Sequence, residues 1–374
     1  MGWSDWRHVL GKSKSATTTQ QLPDNVRLAL LSFRHTWLPY GVPPAWVGLA
    51  EDTLTLSLPF MVVPEVLNHA LRQLPDLEPY KLQIICQPEV MSNTKPDWPQ
   101  LYGNVILVAS GKGGVGKSSV TVSLALALAQ LGARVGVFDA DIYGPSLPTM
   151  MGGERPEVIQ QGGKDKLQTV SRHGVSVSSL GYLIEPEDAA IWRGPMAAAT
   201  LQKLFKDSQW PRLDYLLVDM PPGTGDIQLT FAEHLPVTAA VVVTTPQTVA
   251  LADAEKGIRF FHKLELPIVG LVENMSYYAC EACGHEAPIF GADGGAHTAL
   301  KHEVPLLGQW PLLRQQRDSL DRGSPLQVSE PQHPFTDIVR DSAASLSAQL
   351  YWQKTMPGNQ PDAKSAPTPD TKTG

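Results

Sequence analysis

The sequence predicts an α/β protein: a doubly wound, mostly parallel sheet flanked by helices, preceded by a small N-terminal α+β domain. Three observations carry that reading. From Asn104 onward, short runs of Val, Ile and Leu recur with little polar alternation, as strands buried on both faces do. Gly-rich turns and segments of helical period separate most of these runs, and strand–helix alternation argues for a parallel sheet covered by helices. Residues 21–90 carry a shorter periodic pattern of their own, set off by a polar, Pro-rich stretch.

In chain order, residues 1–20 are polar and rich in Ser and Thr, and are expected to be mobile. Within 21–90, Asp24–Trp37 spaces its apolar residues as a helix and Thr53–Leu58 alternates as a half-buried strand. Pro64–Leu74 reads as a second helix and Tyr80–Ile85 as a second strand. Residues 91–103 read as a linker, and 104–352 as the large domain. Its expected strands are Asn104–Ala109, Arg134–Asp139, Val175–Leu180, Asp214–Asp219, Ala239–Thr244, Ile268–Glu273 and Val304–Gly308. Its expected helices are Ser118–Leu131, Met196–Lys206, Ile227–His234, Val249–Leu264 and His297–His302. Residues 353–374 have almost no large apolar side chain and are expected to be disordered.

Bulk properties narrow the function. The chain has 374 residues, 43% of them hydrophobic, which suits a soluble globular protein of one large domain and an appendage. The net charge of −7 argues against a sequence-independent nucleic-acid binder and against electrostatic membrane binding. No apolar run approaches the length of a membrane span, and MGWSDWRHVL lacks the features of a secretory signal, so a cytoplasmic protein is expected. Three cysteines make no disulfide framework. Cys86 lies in an apolar strand and reads as a core residue.

The strongest motif is VILVAS followed by GKGGVGKSS and then VTVSLALALAQL, a strand feeding a glycine loop that opens a helix. Gly113, Gly114 and Gly116 are expected to take backbone conformations closed to other residues, aiming successive N–H groups at phosphate oxygens. The helix N-terminus adds a favourable dipole. Lys117 would reach the β and γ phosphates, and the Ser118 hydroxyl would ligate Mg²⁺. The phosphate loop, or P-loop, thus comprises Gly111, Lys112, Gly113, Gly114, Val115, Gly116, Lys117, Ser118 and Ser119, and predicts a P-loop NTPase that uses ATP. Asp219, after four apolar residues, is the expected acid of the Mg²⁺ shell. Asp139 and Asp141 compete for the second acidic role; Asp141, beyond its strand, could orient an attacking water. The loop Pro221–Gly225 could sense the γ-phosphate through its backbone.

Cys280-Glu281-Ala282-Cys283-Gly284-His285 is the second motif. Two thiolates at this spacing grip one face of a metal, but zinc and iron–sulfur sites usually take four ligands. Two copies of the chain about a two-fold axis would supply four. Thiolates suit zinc and iron–sulfur clusters alike, and a redox dithiol is a third reading. His285 reads as an exposed turn residue.

Lys112, directly after the first glycine, makes GKGGVGKS resemble the deviant Walker A motif of the MinD/ParA/nitrogenase-iron-protein class. That resemblance implies a lysine reaching across a homodimer to the partner's nucleotide. DADIYGPS, IWRGPM, YLLVDMPPGTGDIQLT, TTPQTVALADAEKG, GLVENMSYYACEACGH and VPLLGQWPL together resemble the Mrp/ApbC family of iron–sulfur cluster carriers, over about residues 100–345. The resemblance implies ATP hydrolysis by Lys112, Lys117 and Asp141, and a 4Fe–4S cluster held transiently at Cys280 and Cys283 for delivery to apoproteins. It also places Asn274 where an asparagine often reads the adenine edge. Residues 21–90 resemble, more weakly, the small domain that often precedes this ATPase, but PFMVVPEVL lacks the cysteine found there. A positioning ATPase of the MinD or ParA kind is the rival reading; DSAASLSAQLYWQKTMPGNQ lacks the basic face of a membrane helix. A reductase like the nitrogenase iron protein ranks last, because residues 214–235 contain no cysteine.

Overall fold

A computed structural model describes residues 21–90, 102–161, 164–184 and 194–355. Residues 1–20, 91–101 of the linker, 191–193 of the IWRGPM segment and 356–374 of the tail lie outside the described residues.

The N-terminal unit comprises α1 (Asp24–Ser32), β1 (Val47–Ala50), β2 (Thr53–Leu58), α2 (Pro64–Leu71) and β3 (Lys81–Cys86). The first helix was expected to reach Trp37. It stops at Phe33, whose backbone turns extended, and the chain then drops Trp37 and Leu38 into the core. β1, not expected from the sequence, forms an antiparallel hairpin with β2, while β2 and β3 pair in parallel across the α2 crossover. The core of this unit, including Leu30, Leu54, Leu56 and Leu67, is completed by Ala344, Ala348, Tyr351 and Trp352 from the far end of the chain. Trp46, Phe60, Tyr351 and Trp352 stack edge to face or tilted at centroid distances of 5.2–6.0 Å.

The large domain follows as β4 (Tyr102–Ala109), α3 (Lys117–Gln130), β5 (Val135–Asp139), α4 (Leu147–Met151), β6 (Val158–Gln161), β7 (Lys164–Gln168), β8 (Val170–Arg172) and β9 (Val175–Ser179). Next come α5 (Gly194–Asp207), β10 (Ser208–Gln209), β11 (Leu213–Asp219), α6 (Asp226–His234), β12 (Ala239–Thr244), α7 (Thr248–Lys263) and β13 (Ile268–Glu273). The chain continues through β14 (Tyr278–Ala279), β15 (Glu286–Ala287), α8 (Gly294–Lys301), β16 (Leu306–Gln309), α9 (Arg314–Asp321), α10 (Leu326–Ser329) and α11 (Pro334–Thr355).

Eight strands form the main sheet in the order β16-β13-β12-β4-β11-β5-β9-β8, parallel except for the antiparallel edge strand β8. The doubly wound fold is therefore the one expected. Successive side chains of β4 alternate between its faces: Ile106 and Val108 join the core under α3 and α11, and Val105, Leu107 and Ala109 join the core under α5, α6 and α7. Burial on both faces is why these strands read as unbroken apolar runs. α3 is apolar nearly all round because it lies between the sheet and α11. Among the described residues no helix is long and apolar enough to cross a membrane. The carboxyl ends of β4, β5, β11 and β13 bring Ser110, Asp139, Asp219 and Glu273 to one edge of the sheet, where open α/β sheets bind ligands.

Candidate functional site

The loop from Gly111 to Gly116 links β4 to α3 and is shaped by close approaches. Gly116 takes φ 81° at the helix cap, and a Cβ there would lie 2.3 Å from the Asn274 Nδ2. A Cβ on Gly111 would lie 2.1 Å from the Asp253 carbonyl in α7, so α7 packs directly on the loop. Gly114 is left-handed as expected, whereas Gly113 is not: that expectation is corrected, and the close approach at Gly111 was missed. Ser110 Oγ donates to the Lys112 carbonyl at 2.9 Å, and Gly223 N–H donates to the Ser110 carbonyl at 2.9 Å, joining the Pro221–Gly225 segment to the loop. Gln228 Nε2 holds that segment from below, donating to the Pro221 and Pro222 carbonyls at 2.8 and 3.1 Å.

Asp219 is the centre of the charged network. It is fully buried and accepts from Lys117 Nζ at 2.7 Å, Ser118 Oγ at 2.5 Å and Thr121 Oγ1 at 2.9 Å. Lys117, only 6% exposed, also stands 3.9 Å from Asp141. The two strand-end acids are register partners on β11 and β5, so Asp139 lies beside Asp219. Burial, and then the neighbouring Asp219 charge, push the Asp139 carboxyl up to about 7. Asp139 accepts from Ser179 Oγ at 2.9 Å, from the Asp141 N–H at 3.1 Å and from the Leu147 N–H at 3.3 Å. It braces the turn that presents Asp141. Burial raises the Asp141 carboxyl as well, against the pull of Lys117. The structure thus separates the two candidates: Asp139 faces its own loop, and Asp141 lines the cleft of about 240 Å³ formed with Lys112, Gly113, Lys117, Ser118 and Pro222.

A second cleft, of about 260 Å³, continues past Gly116 and Ser119 toward Asn274, Met275, Pro311, Leu312 and Gln316. Asn274 Nδ2 donates to the Val115 carbonyl at 2.9 Å, so this amide clamps the loop from the far side. Glu273, fully buried, accepts from Ser276 Oγ at 2.7 Å, from Gln309 Nε2 at 2.9 Å and from the Gly295 N–H, tying β13 to β16 and α8. Thr121, Gln228, Glu273 and Gln316 were missed by the sequence reading. LVEN ends β13 as LLVD ends β11, a signal that could have found Glu273.

The cysteines lie on a separate hairpin, β14–β15, and line neither cleft. Cys280 N–H donates to the His285 carbonyl at 2.9 Å, and Gly284 N–H, at φ 72°, donates back to the Cys280 carbonyl at 2.8 Å. Backbone N–H groups of Ala282 and Cys283 point at the Cys280 sulfur, and these, with the Cys283 thiol, draw the Cys280 pKa down. Among the described residues no group of three or more His, Cys, Asp or Glu is placed to hold a metal, so none of them stands with the pair as a third ligand. Cys86 is half-buried, and burial pushes its thiol up, as a core cysteine's should be.

Comparison with known proteins agrees with this geometry. The profile of the ParA-group family described as NUBPL iron-transfer P-loop NTPase matches residues 102–347. The iron–sulfur cluster carrier protein of Salmonella typhimurium is 45% identical over 368 residues, spanning 90% of this chain and 96% of the relative. That of Escherichia coli is 43% identical over 377 residues, spanning 93% and 98%. Among solved structures, a nucleotide-binding protein of Archaeoglobus fulgidus in complex with ADP and containing Co superposes with a TM-score of 0.54 at 34% identity, covering 63% of this chain and 91% of that one. The cell division ATPase MinD of Pyrococcus furiosus gives 0.50 at 25% identity, covering 65% and 98%. The matched profile covers the phosphate loop, its acids and the cysteine hairpin beside the main sheet, and the chain belongs to the NUBPL iron-transfer P-loop NTPase family.

Proposed function

We propose that this chain is a cytoplasmic ATPase that carries an iron–sulfur cluster, holding a 4Fe–4S unit between the cysteine pairs of two copies and delivering it to apoproteins. The observation that carries the reading is the Cys280 turn: it brings two thiols together, and among the described residues no third metal ligand stands with them. A two-fold pair of chains supplies the four that such a cluster takes. The carrier names of the relatives from Salmonella typhimurium and Escherichia coli support the same assignment.

ATP is proposed to lie with its phosphates against the Gly111–Ser119 loop and its base toward Asn274 and the Pro311–Gln316 wall. The Ser118 hydroxyl and the Asp219 carboxylate are hard oxygen donors already in contact, a pair that fits Mg²⁺. Bound there, Mg²⁺ would neutralise phosphate charge. Lys117 stabilises the phosphates from inside the cleft, Asp141 orients the attacking water, and the exposed Lys112 of the second copy adds charge from across the interface.

Anaerobic reconstitution with iron and sulfide tests the reading. Bound iron is expected in wild type and in Cys86→Ser, and is expected to vanish in Cys283→Ala. Equal loading in wild type and Cys283→Ala would overturn the assignment. A colourless, zinc-loaded protein would reassign the pair to zinc.

A further inference from the structure

The cysteine hairpin is short, with strands of two residues each, and its ties run to one neighbouring segment. Ser276 N–H donates to the Trp310 carbonyl at 2.8 Å, Leu312 N–H donates to the Tyr277 carbonyl at 2.7 Å, and Tyr278 bridges Leu312 in parallel. Farther along, Arg314 grips Glu281, the residue after Cys280, with two prongs: Nε at 3.1 Å and Nη2 at 2.7 Å. The same segment walls the base-side cleft, where Pro311, Leu312 and Gln316 face Gly116, Ser119 and Asn274. One stretch of chain therefore touches the cleft on one side and the hairpin on the other.

We propose that Arg314 is a positioning residue that transmits occupancy of the base-side cleft to the cysteine turn through its fork onto Glu281. The proposal rests on nucleotide binding at the phosphate loop as proposed above. Coupling between two sites requires a shared element whose placement both ligands favour differently. A nucleoside in the cleft fixes the Pro311–Leu313 wall, and with it the first turn of α9, where Arg314 sits. The main-chain bonds at Ser276 and Tyr277 hold only the base of the hairpin. Glu281 lies at its tip between the two cysteines, so the ion pair is the tie that reaches the ligating turn. A planar guanidinium bound two-pronged passes on orientation as well as charge, which a lysine would not. By linkage, a metal held at the turn shifts nucleotide affinity by the same factor.

Hydrogen exchange on the full chain, with and without magnesium and a non-hydrolysable ATP analogue, tests this. In wild type, the nucleotide is expected to slow exchange at amides 111–120 of the phosphate loop and at 277–287 of the hairpin. In Arg314→Gln the loop protection stays, and the nucleotide-dependent protection of the hairpin falls by about two- to fivefold, the range of a well-formed surface pair. The reversal Glu281→Arg with Arg314→Glu restores it. A merely structural role would speed hairpin exchange equally with and without nucleotide, and that result overturns the proposal. So does unchanged hairpin protection in Arg314→Gln, or a wild-type hairpin that ignores a nucleotide the loop responds to. Absence of protection at the loop itself would sink the nucleotide reading along with it.

Discussion

At the phosphate loop, the fully buried Asp219 takes hydrogen bonds from Lys117, Ser118 and Thr121, while Asn274, Gln228 and Ser110 pin the surrounding backbone. At the cysteine hairpin, Cys283 is exposed, the strands are two residues long, and an ion pair at the surface provides the outermost tie. The first site's acid, lysine and hydroxyls are locked together within one chain. The second is an exposed turn tied at few points. The difference teaches that one site is fixed by buried contacts and the other by surface ones.

Breaking the buried site is expected to cost most. Lys117→Ala leaves Asp219 buried without its cation, so stability in denaturant titration should fall by about 3–5 kcal/mol. ATP turnover, measured as phosphate release, should drop by about 10²–10³-fold. A variant that melts and turns over like wild type would show that the buried pair is not the centre of the site. Asn274→Ala removes one neutral hydrogen bond to the loop; calorimetry should find nucleotide affinity about tenfold weaker, and an unchanged affinity would assign the clamp to other residues.

Asp139 sharpens the comparison through pH. Its folded pKa, raised by burial and by Asp219, lies at about 7 against an ordinary 3.8. The folded protein thus keeps a proton that the unfolded chain releases across that window, and this group's contribution to stability is lost as pH rises through about 7. Asp139→Asn has no such proton. Its stability relative to wild type should climb from about pH 4 to about pH 7, by at most about 1.4 kcal/mol per unit, and level off above, and a flat difference across that window would place the proton elsewhere. The smallest effect is expected at the exposed cysteine turn: Cys283→Ala should change stability by no more than about 0.5 kcal/mol in the same titration. A larger loss would mean that the turn is part of the folded core.

The strands of the main sheet were legible because burial on both faces leaves short continuous apolar runs, as in Tyr215–Val218 of β11 and Ala239–Val243 of β12. α11 was not. Its buried face carries Ser342 and Ser347, which read as polar until their partners are known: Trp310 Nε1 donates to Ser342 Oγ, and Ser347 Oγ meets the Tyr215 hydroxyl and the Met61 N–H. Those partners lie far away in sequence, and no local period reveals them. The same divide runs through the site. The glycines, Lys117, Ser118 and Asp219 follow from a local pattern, whereas the grip of Glu273 on Gln309 and the clamp of Asn274 on Val115 exist only once distant strand ends meet.

Weighing the loaded protein settles whether the cysteine pair is completed by a second copy. Native mass spectrometry of anaerobically reconstituted protein should find a single 4Fe–4S unit on two chains, with no cluster on dimers of Cys283→Ala. A cluster carried by a lone chain, or one that survives in Cys283→Ala, would show that Cys280 and Cys283 are not one half of a shared site.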